Sequence, residues 1–179
     1  MKVTEEKTEI QQIENVTKAI QDLRDKGLTV GFSESCTGGL LSSYFTKHSG
    51  VSDVYMGSVI SYANAVKEKI LGVNHQTLVA HGAVSFETAK EMAEGALKAL
   101  DVKVAVSITG IAGPNGGSAA KPVGTVFIAV GGMKSEVGVP TMLGTETFEY
   151  HFQGDRQQIQ FLACVEATNN LTKFIKKNY

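Results

Sequence analysis

Three stretches of this sequence hold side chains whose types and spacing could do chemistry, and the first is Glu34-Ser35-Cys36-Thr37-Gly38-Gly39. It follows an apolar run and precedes a helical one, so a hydroxyl there would sit where a strand ends and a helix begins. Free backbone N–H groups and the helix dipole favour negative charge at such a junction. That suits a nucleophile whose attack creates an oxyanion, provided N–H donors face the oxygen. Ser, Thr and Gly are equally the ordinary capping residues of a helix start. Cys36 competes with Ser35, because a thiolate at a helix N-terminus has a lowered pKa. Its base would have to be His48, His75, His81 or His151, and no recognisable motif places any of them. A small buried cysteine is the other reading of this residue.

The second stretch is Ser61-Tyr62-Ala63-Asn64-Ala65-Val66-Lys67. A strand end followed by a first helical turn could bring Tyr62 and Lys67 to one side of a cleft. A serine hydroxyl needs a base to become a good nucleophile. Lysine can serve if burial or a cationic neighbour lowers its pKa. Tyr62 could then relay the proton or hold the lysine. A solvated helix lysine beside a core tyrosine satisfies the same pattern.

The third stretch runs from Thr109 through Gly110, Ile111, Ala112, Gly113, Pro114, Asn115, Gly116 and Gly117, and continues in Lys121-Pro122-Val123-Gly124-Thr125. Its glycines let the backbone come close to a ligand, and successive N–H groups can form an anion-binding nest. It lacks the Lys-Ser/Thr ending of a Walker A loop, and a strand rather than a helix follows it, unlike the dinucleotide fingerprint. A glycine-rich surface turn has the same composition. Near the C-terminus, Asp155 and Gln158 have capping-box spacing. Arg156 then falls in a first helical turn, where a cation is mildly disfavoured by the dipole and makes more sense serving an anionic ligand.

These segments need elements to position them. Ile10, Ile13, Val16, Ile20 and Leu23 keep helical spacing and Gly27 is placed to end that helix, which gives an N-terminal packing helix within residues 1–27. Leu28 to Phe32 reads as a buried strand, Leu40 to Lys47 as a helix, Val54 to Tyr62 as a strand and Asn64 to Leu71 as a short helix. Ser85 can cap a helix with the stripe Ala89, Met92, Ala93, Ala96, Leu97 and Leu100. Val102 to Thr109, Gly124 to Val130 and Thr145 to Phe152 complete the strands, and a last helix starts near Asp155. The alternation predicts one α/β domain over 1–179, a three-layer α/β/α sandwich. The closely spaced strands after Gly124 predict a mixed sheet, with the strand order left open.

Bulk properties narrow the function. The 179 residues suit one domain, and 42% apolar with 20% charged residues is ordinary for a globular protein. A net charge of −1 argues against a nucleic-acid footprint, which needs many Lys and Arg. Cys36 and Cys164 are too few and too far apart for a disulfide framework or a zinc ribbon, which fits a reducing, cytoplasmic setting. The polar N-terminus lacks a signal-peptide apolar run, and no apolar stretch approaches the ~20 residues that cross a bilayer. No membrane partner is expected.

Taken together, the segments resemble the C-terminal domain family of the competence/damage-inducible protein CinA, which includes stand-alone nicotinamide-nucleotide amidases (NMN deamidases). The resemblance runs from about Leu28 to the last helix. It rests on ESCTGG at 34–39, Tyr62 with Lys67, HGAVS at 81–85, TGIAGPNGG and KPVGTV within 109–126, and GDR at 154–156. It implies hydrolysis of nicotinamide mononucleotide to nicotinic acid mononucleotide and ammonia, in pyridine-nucleotide recycling. It implies Ser35 as nucleophile, Lys67 as base and Tyr62 as the partner of Lys67. Thr37, Gly38, Gly39, Thr109, Gly110 and Gly113 would line the substrate pocket, with Arg156 at the phosphate. No metal or organic cofactor is implied, and a homo-oligomer is. Full-length CinA proteins carry a further N-terminal domain, for which this chain has no room, so the resemblance favours the stand-alone enzyme. A non-catalytic nucleotide-binding module of the same fold, or an amidase that uses Cys36, are the alternatives.

Overall fold

The computed structural model describes residues 9–136 and 139–179. Its helices are α1 (Glu9–Asp25), α2 (Leu40–Thr46), α3 (Asn64–Leu71), α4 (His75–His81), α5 (Phe86–Ala99) and α6 (Arg156–Asn178). Its strands are β1 (Val30–Glu34), β2 (Tyr55–Ile60), β3 (Val104–Gly110), β4 (Thr125–Glu136) and β5 (Val139–His151). The expected packing helix is thus described from Glu9; positions 1–8 lie outside the described residues.

The sheet has the order β2-β1-β3-β4-β5, parallel among its first three strands and antiparallel from β3 to β5. It is mixed, as the strand spacing predicts. Successive strand side chains point to opposite faces, and the two faces have different cores. Val104, Val106, Ile108, Val126, Ile128 and Val130 join α1, α2 and α6 in one cluster. Ala105 packs with Met92, Ala96 and Leu97 of α5, and Phe127 and Ala129 with Ala89 and Ala93. Burial on both faces is why β3 reads as an unbroken apolar run rather than an alternating one.

This topology decides where the site lies. From β1 the chain crosses through α2 to β2, then returns through α3, α4 and α5 to β3 on the other side of β1. Right-handed crossovers run in opposite directions need their helices on opposite faces, and the core clusters have that arrangement. The carboxyl ends of β1 and β3 therefore flank a topological switch point, where open α/β sheets leave a crevice for ligands. Ser35 follows the end of β1, and Thr109 and Gly110 end β3.

Several element boundaries differ from the apolar pattern. β1 lies two residues later than the Leu28–Phe32 run, because Ser33 and Glu34 are buried polar residues with internal partners. The Ser33 hydroxyl donates to the carbonyl of Met92 at 3.1 Å. The β4–β5 hairpin is longer than expected, since the two strands go on pairing with each other beyond the end of the β3 ladder, which closes with the Met133 N–H donating to the Lys103 carbonyl. α4 has no apolar stripe to announce it; only Leu78 is buried, and Asn74 caps it by accepting from the N–H of Gln76.

Gly95 marks a close approach of α5 to the end of α3: a Cβ there would lie 2.0 Å from the carbonyl oxygen of Leu71. Backbone cannot yield as a flexible side chain does. Gly95→Ala is therefore expected to destabilise the fold by about 1–3 kcal/mol despite alanine's better helix propensity. A denaturant midpoint that falls at unchanged m-value would show it; an unchanged midpoint would mean the helices part at no cost.

Candidate active site

Ser35 is locked from both sides as β1 ends. Its N–H donates to the carbonyl of Ile108 on β3 at 2.9 Å, while the Glu34 carbonyl accepts from the N–H of Ser61 at 2.8 Å. Lys67 sits one turn into α3 with only 1% of its surface exposed. Its Nζ lies 3.0 Å from Ser35 Oγ, 2.5 Å from the Ser61 carbonyl and 3.5 Å from the Tyr62 carbonyl. Burial holds the Lys67 amine below the usual lysine range. A neutral amine has two N–H groups and one lone pair. With both N–H groups directed at the Ser61 and Tyr62 carbonyls, the lone pair is left for the Ser35 hydroxyl proton. This is the arrangement of a nucleophile with its general base.

The pair opens into a cavity of about 240 Å³. Ser35, Cys36, Tyr62, Lys67, Thr109, Gly110, Gly113 and Arg156 line it, together with Ala83, Val84 and Asn115. The Thr109 hydroxyl donates to the Ala83 carbonyl at 2.7 Å. Lys121 straps the glycine-rich loop to the same segment, its Nζ donating to the carbonyls of His81 at 2.9 Å and Val84 at 2.6 Å. Arg156 opens α6 as its Asp155–Gln158 capping box predicts. It donates from Nη1 to the Gly113 carbonyl at 2.8 Å and from Nη2 to the Tyr62 hydroxyl at 3.1 Å. The structure thus gathers Ser35, Lys67, Tyr62, Thr109, Gly110, Gly113 and Arg156 around one space. No lining residue carries a negative charge.

Two expectations change. The Tyr62 hydroxyl is bonded to Arg156, so its contact with Lys67 is made by its main-chain carbonyl. Thr37, Gly38 and Gly39 do not line the cavity. The reason is Glu34, whose Oε2 accepts from Thr37 Oγ1 and from the N–H of Gly39 and Leu41, while Oε1 accepts from the N–H and hydroxyl of Ser42. The start of α2 is therefore spent on a protein carboxylate instead of facing substrate. No motif chemistry points to this use of Glu34. The one signal in the sequence is a helix preceded by Gly39, which has no capping side chain, with an acidic residue shortly before it.

The thiol alternative fares worse than the hydroxyl. Burial pushes the Cys36 thiol up to about 12, so it carries no thiolate at neutral pH. His48, His75, His81 and His151 are all absent from the cavity lining. Among the described residues no group of His, Cys, Asp and Glu could hold a metal ion, and no helix is long and apolar enough to cross a membrane.

Comparison with known proteins places the chain in a family. The model of the CinA C-terminal domain matches residues 12–175. A CinA-like protein of Leptospira interrogans is 52% identical over 142 residues, which are 79% of this chain and 32% of that protein. A CinA-like protein of Thermotoga maritima is 44% identical over 154 residues, 86% of this chain and 35% of that one. The chain spans about a third of the length of these curated relatives. Among solved structures, a competence/damage inducible protein of Agrobacterium tumefaciens superposes with a TM-score of 0.83 at 36% identity, covering 92% of this chain and 95% of that one. A CinA superfamily protein of Klebsiella pneumoniae superposes at 0.84 with 29% identity, covering 93% and 98%.

Proposed function

The chain belongs to the CinA C-terminal domain family, and on that premise we propose that it hydrolyses the carboxamide of nicotinamide mononucleotide to nicotinic acid mononucleotide and ammonia. The observation that carries this assignment is the 3.0 Å contact between a buried Lys67 amine and Ser35 Oγ in the lining of a cavity. In the first step neutral Lys67 takes the Ser35 proton as Oγ adds to the amide carbon. The C–N bond then breaks, and Lys67 returns the proton to the nitrogen, which leaves as ammonia. Water attacks the acyl-serine with Lys67 again as base, releasing the acid and restoring Ser35. Lysine performs both transfers because its nitrogen is, among the described residues, the basic atom in contact with Oγ; the Tyr62 hydroxyl is held by Arg156.

The charge of the cavity supports a phosphorylated substrate. A pyridinium riboside carries a net positive charge and would enter a space lined by Arg156 with no carboxylate to offset it. The mononucleotide adds a dianionic phosphate, which a guanidinium binds well. Arg156→Ala is expected to raise KM for the mononucleotide about 10- to 100-fold, the scale of a hydrogen bond to a charged group, and to change turnover of nicotinamide riboside far less. Equal losses on both substrates would remove Arg156 from the phosphate. The direct test of the reaction is ammonia release from nicotinamide mononucleotide by the wild-type protein. No release, with the nucleotide still bound in calorimetry, would favour a binding module.

A further inference from the structure

Glu34 is fully buried, and its carboxylate is surrounded by donors alone. Oε2 accepts from Thr37 Oγ1 at 2.7 Å, from Gly39 N–H at 3.0 Å and from Leu41 N–H at 3.1 Å. Oε1 accepts from Ser42 N–H at 2.9 Å and Ser42 Oγ at 2.6 Å. Burying a carboxylate costs far more than capping a helix with Ser, Thr, Asp or Asn, so a simple cap does not account for it. An ordinary cap also could not stand at position 39, because Gly38 and Gly39 take successive positive φ values of 61° and 103°. That conformation favours glycine and turns the chain sharply after Ser35.

The turn so held disposes its N–H groups unequally. Ser35 donates to Ile108, Gly38 to the Ser35 carbonyl and Gly39 to Glu34. Among the described residues no backbone or side-chain oxygen accepts from the N–H of Cys36, which lies against the sulfur of its own side chain. The N–H directly after a nucleophile is a usual oxyanion donor. The main-chain carbonyl of Glu34 also accepts from Ser61, whose own carbonyl anchors Lys67. One residue therefore fixes the nucleophile's turn through its side chain and the base's anchor through its backbone.

Resting on the amidase assignment, we infer that Glu34 is a positioning residue of the reaction, its carboxylate holding the 35–42 turn so that the Cys36 N–H, at the cavity, is kept for the oxyanion. The site needs an acceptor-only side chain, since a glutamine amide would present N–H groups to donors. Glu34→Gln is expected to lower kcat about 100-fold, the scale of losing one oxyanion donor. KM and the calorimetric affinity for nicotinic acid mononucleotide should stay within about twofold, because ground-state binding does not use the hole. Ser42→Ala removes one of the five bonds together with the contact of the Ser42 hydroxyl to Tyr55, whose hydroxyl keeps Ser58 as a partner. It is expected to cost about three- to tenfold in kcat, and it carries the test if Glu34→Gln does not fold.

A serine-directed fluorophosphonate separates this assignment from that of the substrate, because its attack by Ser35 also builds negative charge on an oxygen. Labelling of Ser35 should slow in Glu34→Gln about as much as kcat falls. Wild type that labels but releases no ammonia sinks the substrate assignment alone, and the labelling rates then judge Glu34. Equal labelling of wild type and Glu34→Gln, or of wild type and Ser42→Ala where only that variant folds, overturns the role of Glu34. So does a kcat loss matched by an equal loss of product affinity, which marks a purely structural carboxylate.

Discussion

Replacing Ser35 by alanine is expected to lower kcat for nicotinamide mononucleotide by about 10⁴–10⁶-fold with the fold intact, and Lys67→Ala should do nearly the same. Groups that act as one unit show strongly non-additive losses. The double variant should therefore be scarcely worse than either single one. The two side chains touch at 3.0 Å, and the other contacts of Lys67 Nζ are the main-chain carbonyls of Ser61 and Tyr62, which neither give nor take a proton. Without the lysine, the hydroxyl keeps its proton; without the hydroxyl, the lysine has nothing to activate. Cys36→Ala supplies the contrast. Its thiol is buried and held protonated, so that variant should keep turnover within about the few-fold range of a packing change in a tight core. Steady-state ammonia release by wild type and the four variants decides the matter. Near-normal rate in Ser35→Ala, or loss of rate in Cys36→Ala alone, would hand the nucleophile to the thiol. Multiplying losses in the double variant would mean that Ser35 and Lys67 act independently.

Much of this site was legible because its chemistry is written in contiguous segments placed at strand ends. Ser35 follows β1 and Thr109 closes β3. Asn64–Leu71 is recovered residue for residue as a helix, which puts Lys67 one turn inside it. Arg156 could be placed at a helix start from the Asp155–Gln158 spacing alone. What stayed hidden depends on contacts between segments remote in sequence. That Arg156 reaches Tyr62 across 94 positions, or that Lys121 reaches the His81 and Val84 carbonyls, follows from the strand order. No local spacing encodes that order.

Glu34 was hidden for a different reason. Charge alone assigns such a residue to solvent or to a reacting partner, and a carboxylate serving only backbone and hydroxyl donors leaves no more signal than an uncapped helix start shortly after it. The same cause sets β1 two residues beyond its apolar run, since the buried polar Ser33 and Glu34 end that run while the strand continues. Of the residues that the resemblance assigns to the substrate, Thr37 gives its hydroxyl and Gly39 its N–H to that carboxylate, and the Gly38 N–H goes to the Ser35 carbonyl. In each instance the local element was recognised and its polar partner was not.

The pH dependence of the protein should carry the mark of Lys67 in both rate and stability. Burial lowers its pKa from the model-peptide value of 10.5, and no carboxylate touches it to oppose that shift. As a base it works only when neutral, so kcat/KM should rise with pH along a limb centred below 10.5. The stability sign follows from proton binding. Between the lowered folded pKa and the unfolded value, the unfolded chain holds the proton on Lys67 and the folded chain does not. Stability therefore rises with pH through that window. The contribution is complete above the unfolded value and is lost as pH falls through the folded one. Lys67→Met removes the titration while leaving the Ser61 carbonyl without its donor, a penalty that does not vary with pH. Denaturant unfolding of wild type and Lys67→Met at a series of pH values should show wild type gaining on the variant as pH rises. The gain should begin where the kcat/KM limb lies. A constant difference between the two proteins would mean that Lys67 keeps its ordinary pKa in the fold, and an unactivated ammonium 3.0 Å from Ser35 could not be the base.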